Sequence, residues 1–108
     1  MYFYQNLYTD TTTYKKREKI CRYLKTGRGQ LGVYVIAVGH GSDLFEIYHA
    51  ANLKQKGFPK KDVIVLGIAS SYDSAVSLSI DMFQDLYCRY GLLFKQLFLE
   101  KEQNMFRR

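Results

Sequence analysis

Tryptophan is absent from the 108-residue chain, and proline and cysteine are scarce, with one and two residues respectively. Cys21 and Cys88 have no histidine at metal-ligand spacing, so the sequence predicts neither a zinc site nor a redox pair. No apolar run approaches the roughly 20 residues of a membrane-spanning helix. The amino terminus also lacks the basic flank and cleavage site of a signal peptide, so we expect a cytoplasmic protein.

The common sequence motifs of catalysis are absent too. The chain has no phosphate-loop lysine motif and no G-x-S-x-G nucleophile motif. His40, Ser42 and Asp43 are close in sequence, but side chains two residues apart on a turn seldom align as nucleophile and base. His49 has no second catalytic residue to pair with. The sequence therefore predicts no catalytic residue, no metal site and no cofactor, although residues distant in the chain can still converge in the fold.

What the chain does contain is typical of one compact domain. Hydrophobic residues make up 47% of the sequence and charged residues 24%, which excludes disorder of the whole chain. Ten tyrosines and seven phenylalanines predict a core rich in aromatic side chains. We assign residues 1–99 to a single α/β domain and expect residues 100–108 to form a frayed tail.

Apolar runs alternate with amphipathic segments along the chain. The predicted elements are a strand at Tyr2–Tyr8, a helix from the cap candidates Asp10–Thr13 to Leu24, a strand at Val33–Val38, a helix at 43–56, a strand at Asp62–Ala69 and a helix that ends at Gly91. Residues 44–53 have an extended alternative. Residues 92–99 are predicted as a strand, with a short helix as the alternative. The order βαβαβα, followed by this uncertain element, predicts a small α/β layer fold with an at least partly parallel sheet.

The helix before Gly91 carries two further signals. Ser70 and Asp73 have the S-x-x-D spacing of a capping box at its start. Two neighbouring apolar stripes then predict that the helix buries a wide face. The first stripe is Ala75, Leu78, Met82, Leu86 and Tyr90, and the second is Val76, Ile80, Phe83 and Tyr87.

Charge is unevenly distributed in a chain of net charge +6. Residues 1–30 contain seven basic and two acidic residues, a net charge of +5, whereas residues 62–91 contain one basic and four acidic residues, a net charge of −3. This separation favours either polyanion binding or head-to-tail self-association. The residues predicted for nucleic-acid binding are Lys15, Lys16, Lys19, Arg22 and Lys25, interleaved with Tyr14 and Tyr23. A solvated basic helix face is the simpler alternative.

Two strand-to-helix corners are candidate anion sites, because helix starts at strand ends attract anions. The residues concerned are Gly39, Gly41 and Ser42 at one corner, and Ser70 and Ser71 at the other. The two corners would share one crevice if their strands were neighbours and parallel. A flexible turn and ordinary helix capping explain the same residues without any ligand.

The segment from Val65 to Ala75 reads V-x-G-I-A-x-x-Y-D-x-A, with Val65, Gly67, Ile68, Ala69, Tyr72, Asp73 and Ala75 at the fixed positions. This corner, with the aromatic opening strand, resembles a group of small bacterial proteins of unknown function. The resemblance implies a cytoplasmic α/β domain and assigns no activity or site residue. Gly67 and Ala69 also have a packing reason, since small residues let a helix approach a sheet closely.

These observations favour a small non-catalytic binding protein that associates with itself or with another protein. The first alternative is a nucleic-acid-binding module that uses the basic helix. The second is a sensor of a small ligand or anion at the two corners. We expect no membrane partner.

Overall fold

The computed structural model describes residues 1–54, 62–100 and 105–107, which form one α/β domain. The elements in chain order are β1 (Tyr2–Thr9), α1 (Thr11–Tyr14), α2 (Arg17–Lys25), β2 (Tyr34–Val38), β3 (Phe45–His49), a 3-10 helix (Ala50–Lys54), β4 (Ile64–Ala69), α3 (Tyr72–Tyr90), α4 (Phe94–Leu99) and β5 (Phe106–Arg107). This confirms the α/β class, but the order is not βαβαβα. None of the helices in the described residues has both the length and the apolar composition of a membrane span.

The five strands form one mixed sheet in the order β3-β2-β4-β1-β5. Strands β1 and β4 are parallel neighbours, which confirms the prediction of a partly parallel sheet. The other three pairings, β2–β3, β2–β4 and β1–β5, are antiparallel. The carboxyl ends of β1 and β4 therefore lie at the same edge of the sheet, and the carboxyl end of β2 lies at the opposite edge.

Both faces of the sheet are covered, as the unbroken apolar strands predict. Adjacent strand residues point to opposite faces, so Val35 packs towards α2 and Ile36 towards α3 and α4. The first core contains Leu24 of α2 and Leu53 of the 3-10 helix. The second core is aromatic and includes Tyr4, Phe94, Phe98 and Phe106. The fold is thus a three-layered sandwich with α2 and α3 on opposite faces.

The helix predicted at 43–56 is wrong for its described part, because Phe45–His49 is strand β3. All five of these residues pair with β2, and the amide of Gly39 donates to the carbonyl of Leu44 at 3.1 Å to close the hairpin. Phe45, Ile47 and Tyr48 are of the aromatic and β-branched types that favour strands. The extended alternative was the right one for 45–49, and residues 55–56 lie outside the described residues.

Three other predictions need correction. The first helix is broken after Tyr14, where the amide of Lys16 donates to the carbonyl of Thr13 at 3.1 Å in a tighter turn. Residues 94–99 form helix α4, which was the alternative, rather than the predicted strand, because Phe94 and Phe98 then share one buried face. Phe106 and Arg107 of the expected frayed tail pair with β1, while 101–104 and 108 lie outside the described residues.

Gly67 allows α3 to lie close to the sheet. A Cβ atom at this position would lie 3.1 Å from Sδ of Met82 on α3 and 3.2 Å from the carbonyl oxygen of Tyr8 on β1. These contacts are tighter than ordinary van der Waals contacts, so a larger residue would require Met82 or β1 to shift by a few tenths of an ångström. The packing reason expected for this small residue is present.

Candidate functional site

Asp10 lies where the carboxyl ends of the parallel strands β1 and β4 meet. Its Oδ2 atom accepts hydrogen bonds from the amide of Ser70, from Oγ of Ser70 and from Oγ of Ser74, each at 2.7 Å. Its Oδ1 atom accepts from the amide of Thr13 at 2.8 Å and from Oγ1 of Thr13 at 2.7 Å. One carboxylate therefore connects the starts of α1 and α3 across the two strands.

These hydrogen bonds determine the charge of Asp10. Burial alone would raise the pKa of this carboxyl, but the hydrogen bonds from Thr13, Ser70 and Ser74 outweigh burial and hold the pKa well below its usual range. Asp10 is thus a charged, fully bonded acceptor rather than a general base. The predicted N-cap at the start of α1 is confirmed, and the capping residue is Asp10. The hydrogen bonds from Ser70 and Ser74 to Asp10 form because β1 and β4 are neighbouring parallel strands.

The capping box predicted at Ser70 and Asp73 is wrong. Ser71 is the N-cap of α3, and its Oγ accepts from the amide of Ser74 at 3.1 Å. Ser70 instead directs its hydroxyl to Asp10. At the corner between β4 and α3, Ser70 therefore binds Asp10, and the adjacent Ser71 caps the helix.

A groove of about 480 Å³ opens beside this corner, between α2 and the loop at residues 28–33. Ile20 and Val33 are buried and form its apolar floor. Thr12 and Ser70 supply hydroxyl groups at the end nearest β4. The volume lies within the range of pockets that hold small ligands.

Three basic residues and one tyrosine form the rim of the groove. Lys16, Lys19 and Arg28 are exposed, and no acidic residue lines the groove in the described part of the chain. Tyr23 is half-buried, with Cζ of Arg28 at 4.5 Å and Nζ of Lys19 at 5.6 Å from its ring centroid. Cations with no acidic residue among the described lining residues, beside a guanidinium that lies over an aromatic ring, suit an anionic ligand that carries a flat ring.

The structure separates the five lysines and arginines predicted for nucleic-acid binding. Lys16 and Lys19 line the groove, Arg22 and Lys25 line one cavity on the other flank of α2, and Lys15 is exposed between α1 and α2. Arg28 and Thr12 were missed by the sequence analysis. The signal that could have found Arg28 is the glycine-rich loop of Gly27, Gly29 and Gly32, which connects the basic helix to β2.

The corner of Gly39, Gly41 and Ser42 lies at the opposite edge of the sheet from Ser70 and Ser71. Strands β2 and β4 are neighbours but antiparallel, with Tyr34 opposite Ala69, so the two corners do not share a crevice.

This corner is a hairpin loop rather than a helix start. A Cβ atom on Gly39 would lie 2.5 Å from the carbonyl oxygen of Asp43, and Nζ of Lys95 donates to the carbonyl of Gly41 at 2.8 Å. His40 donates its amide to Oε1 of Glu46 at 2.7 Å, and its ring Nδ1 lies at the same distance from that oxygen. These contacts give the glycine and the histidine packing and hydrogen-bonding roles in the hairpin.

Helix α3 does not bury the wide face that its sequence predicts. Only Ala75, Met82 and Leu86 are buried in this helix. The neighbouring stripe stays in solvent, with exposed fractions between 37% for Val76 and 60% for Ile80. The rest of the exposed stripe is Tyr72, Phe83 and Tyr87.

Neither cysteine belongs to a cluster suited to metal binding. The described residues contain no group of three or more His, Cys, Asp or Glu side chains that could hold a metal ion. Burial, with a smaller contribution from Glu18, raises the pKa of Cys21 to about 11, so this thiol is protonated at neutral pH. Cys88 is exposed on α3.

Comparison of the chain with protein-family models, curated proteins and solved structures finds no match. The resemblance seen in the Val65–Ala75 corner therefore stays a prediction.

Proposed function

We propose that this protein is a cytoplasmic, non-catalytic module that binds single-stranded nucleic acid on the basic face of α2. The observation that carries the proposal is the groove in which Lys16, Lys19 and Arg28 surround Tyr23 above an apolar floor. Lysine and arginine neutralise phosphates without regard to sequence. Arg28 lies over the tyrosine ring and leaves a planar cation for a base to stack on.

A single strand fits this groove better than a duplex does. The groove is a concave pocket of about 480 Å³, whereas a duplex needs an element that can enter one of its grooves or a broad surface along its backbone. An unpaired base can turn into the pocket while its phosphate meets the lysines on the rim.

The test measures the fluorescence anisotropy of labelled mixed-sequence single-stranded DNA and RNA. Lys16→Gln with Lys19→Gln removes two positive charges from the groove. The matched control, Ser77→Asp with Gln84→Glu, changes the net charge equally at exposed positions of α3 on the opposite face. We expect the groove variant to lose at least about tenfold in affinity and the slope of log K against log salt to flatten by about 1.4.

The control decides between the groove and simple net charge. Equal losses of affinity in the two variants would show that binding depends on the net charge of the protein and not on the groove. Undiminished binding by the groove variant would contradict the proposal, as would wild-type protein that binds neither polymer at low salt. Tighter binding to duplex than to single strands would assign the basic face to a different ligand.

A second candidate function is self-association, favoured by the exposed apolar stripe of α3. Exposed Asp73 and Asp81 accompany this stripe on one face of the sandwich, while the cations of α2 lie on the other face. A second copy that set its α2 face against α3 would pair opposite charges and cover apolar surface with lysine stems. Because this arrangement uses the same basic face, nucleic acid would compete with it.

A further inference from the structure

A second cationic cleft lies on the other flank of α2 from the groove. Two cavities of about 250 and 260 Å³ share Glu18, Cys21 and Arg107 in their linings, so they adjoin each other. Phe3 of β1 lines one of them, which places the cleft between α2 and the β1–β5 end of the sheet.

The charge of this cleft is strongly positive. Arg17, Arg22, Lys25 and Arg107 line it, and Glu18 is the one acidic residue among the described lining residues. Within the described part of the chain, no carboxylate lies at salt-bridge distance from Arg22, Lys25 or Arg107. Guanidinium groups match the geometry of phosphate oxygens, so the cleft is suited to phosphates.

The groove and the cleft are reached from the two sides of one helix. Lys16, Lys19 and Tyr23 follow one another at helical spacing on the groove side, and Arg22 and Lys25 lie on the cleft side. A helix with its side chains is about 10–12 Å across. A strand whose bases are stacked as in a duplex covers that distance in about three nucleotides at a rise of 3.4 Å each.

We propose that the cleft is a second phosphate subsite for the strand whose nucleotide occupies the groove, so that the strand crosses α2. This inference rests on the proposed function and specifies its ligand. The protein would bind oligonucleotides of about five or more nucleotides and would hold a mononucleotide only weakly.

The experiment compares wild-type protein with Arg22→Gln/Arg107→Gln on labelled oligothymidylates from a dinucleotide to a dodecamer. Both arginines are exposed, and circular dichroism verifies that the variant folds. Wild-type affinity should rise with length up to about five nucleotides and then level off. The variant should lose at least about tenfold on the dodecamer, with a salt slope flatter by about 1.4, and should keep wild-type affinity for the dinucleotide.

The outcomes separate the two proposals. Equal affinities of wild type and variant at every length would overturn the second subsite and leave the groove as the binding site. A dinucleotide bound as tightly as the dodecamer by wild-type protein would overturn the crossing in the same way. Wild-type protein that binds no length would overturn the proposed function itself.

Discussion

Asp10 shows how one side chain can hold the corner on which the groove depends. Its five hydrogen bonds come from Thr13, Ser70 and Ser74, and two of the five donors are backbone amides. Hydroxyl groups can rotate to become acceptors, but amides cannot. An amide side chain at position 10 would therefore leave one backbone donor facing an NH₂ group.

We expect Asp10→Asn to lower the free energy of unfolding by about 2–3 kcal/mol, because bonds to a charged acceptor are lost and a donor is left unsatisfied. Asp73→Asn is the matched control, since Asp73 is an exposed acid in the first turn of α3. Urea denaturation at neutral pH measures both variants. A loss no greater at position 10 than at position 73 would show that the bonded carboxylate does not support the corner.

The same residue gives a pH dependence with a defined sign. The hydrogen bonds hold the pKa of Asp10 below its value in the unfolded chain, about 3.9, so the folded state gains stability above that pH and loses it as the pH falls. Between about pH 5 and pH 2, wild-type protein should therefore lose more stability than Asp10→Asn does. Parallel stability curves for the two proteins would contradict this role of Asp10.

Among the structural elements, α3 departs most from an ordinary amphipathic helix. Its exposed apolar stripe includes Ile80, Phe83 and Tyr87. The rings of Phe83 and Tyr87 are neighbours, with centroids 6.0 Å apart. Residues 72–90 thus present apolar side chains to solvent beside exposed aspartates. A contiguous apolar surface of this kind marks interaction sites more often than single exposed residues do.

We expect light scattering after size exclusion to show an oligomer at low salt that dissociates at high salt, because charge complementarity is screened. Ile80→Ser should weaken this association, since it removes apolar surface from the centre of the stripe. Leu92→Ser is the control, because Leu92 is also exposed but follows the helix. Wild-type protein that stays monomeric at both salt concentrations would remove self-association as a candidate.

The elements that sequence patterns predicted well are those with a single dominant signal. Strands β2 and β4 are continuous apolar runs covered on both faces, and α3 is long and capped. Strand β3 was predicted only as the extended alternative because Leu44, Ile47 and Tyr48 also fit helical spacing, and only its pairing with β2 decides between the two. Helix α4 was likewise only the alternative to a strand, because a short apolar run fits both helical and strand spacing.

The sequence predicts only those residues of the groove that belong to a local pattern. Lys16 and Lys19 lie in a run of basic residues that any charge count finds. Ser70 joins them only because β1 and β4 are parallel neighbours, and Arg28 joins them only because its loop passes beside Tyr23. Long-range pairing of this kind leaves no local mark in the sequence.

At the scale of the whole molecule, the fold places the basic and the acidic segments of the chain on opposite faces of the sheet. Residues 1–30 have a net charge of +5 and place α2 on one side of the sheet, whereas residues 62–91 have a net charge of −3 and place α3 on the other. The molecule therefore has one positive face and one negative, partly apolar face. This arrangement favours oriented association.

The most direct test of nucleic-acid binding by the groove is a nitrogen–proton correlation NMR titration with a short single-stranded oligonucleotide. We predict that the backbone amides of α2, the 28–33 loop and Ser70 shift together as oligonucleotide is added, while the amides along α3 beyond its first turn stay in place. Shifts concentrated on α3, or a spectrum unchanged at saturating oligonucleotide and low salt, would contradict binding of the oligonucleotide in the groove.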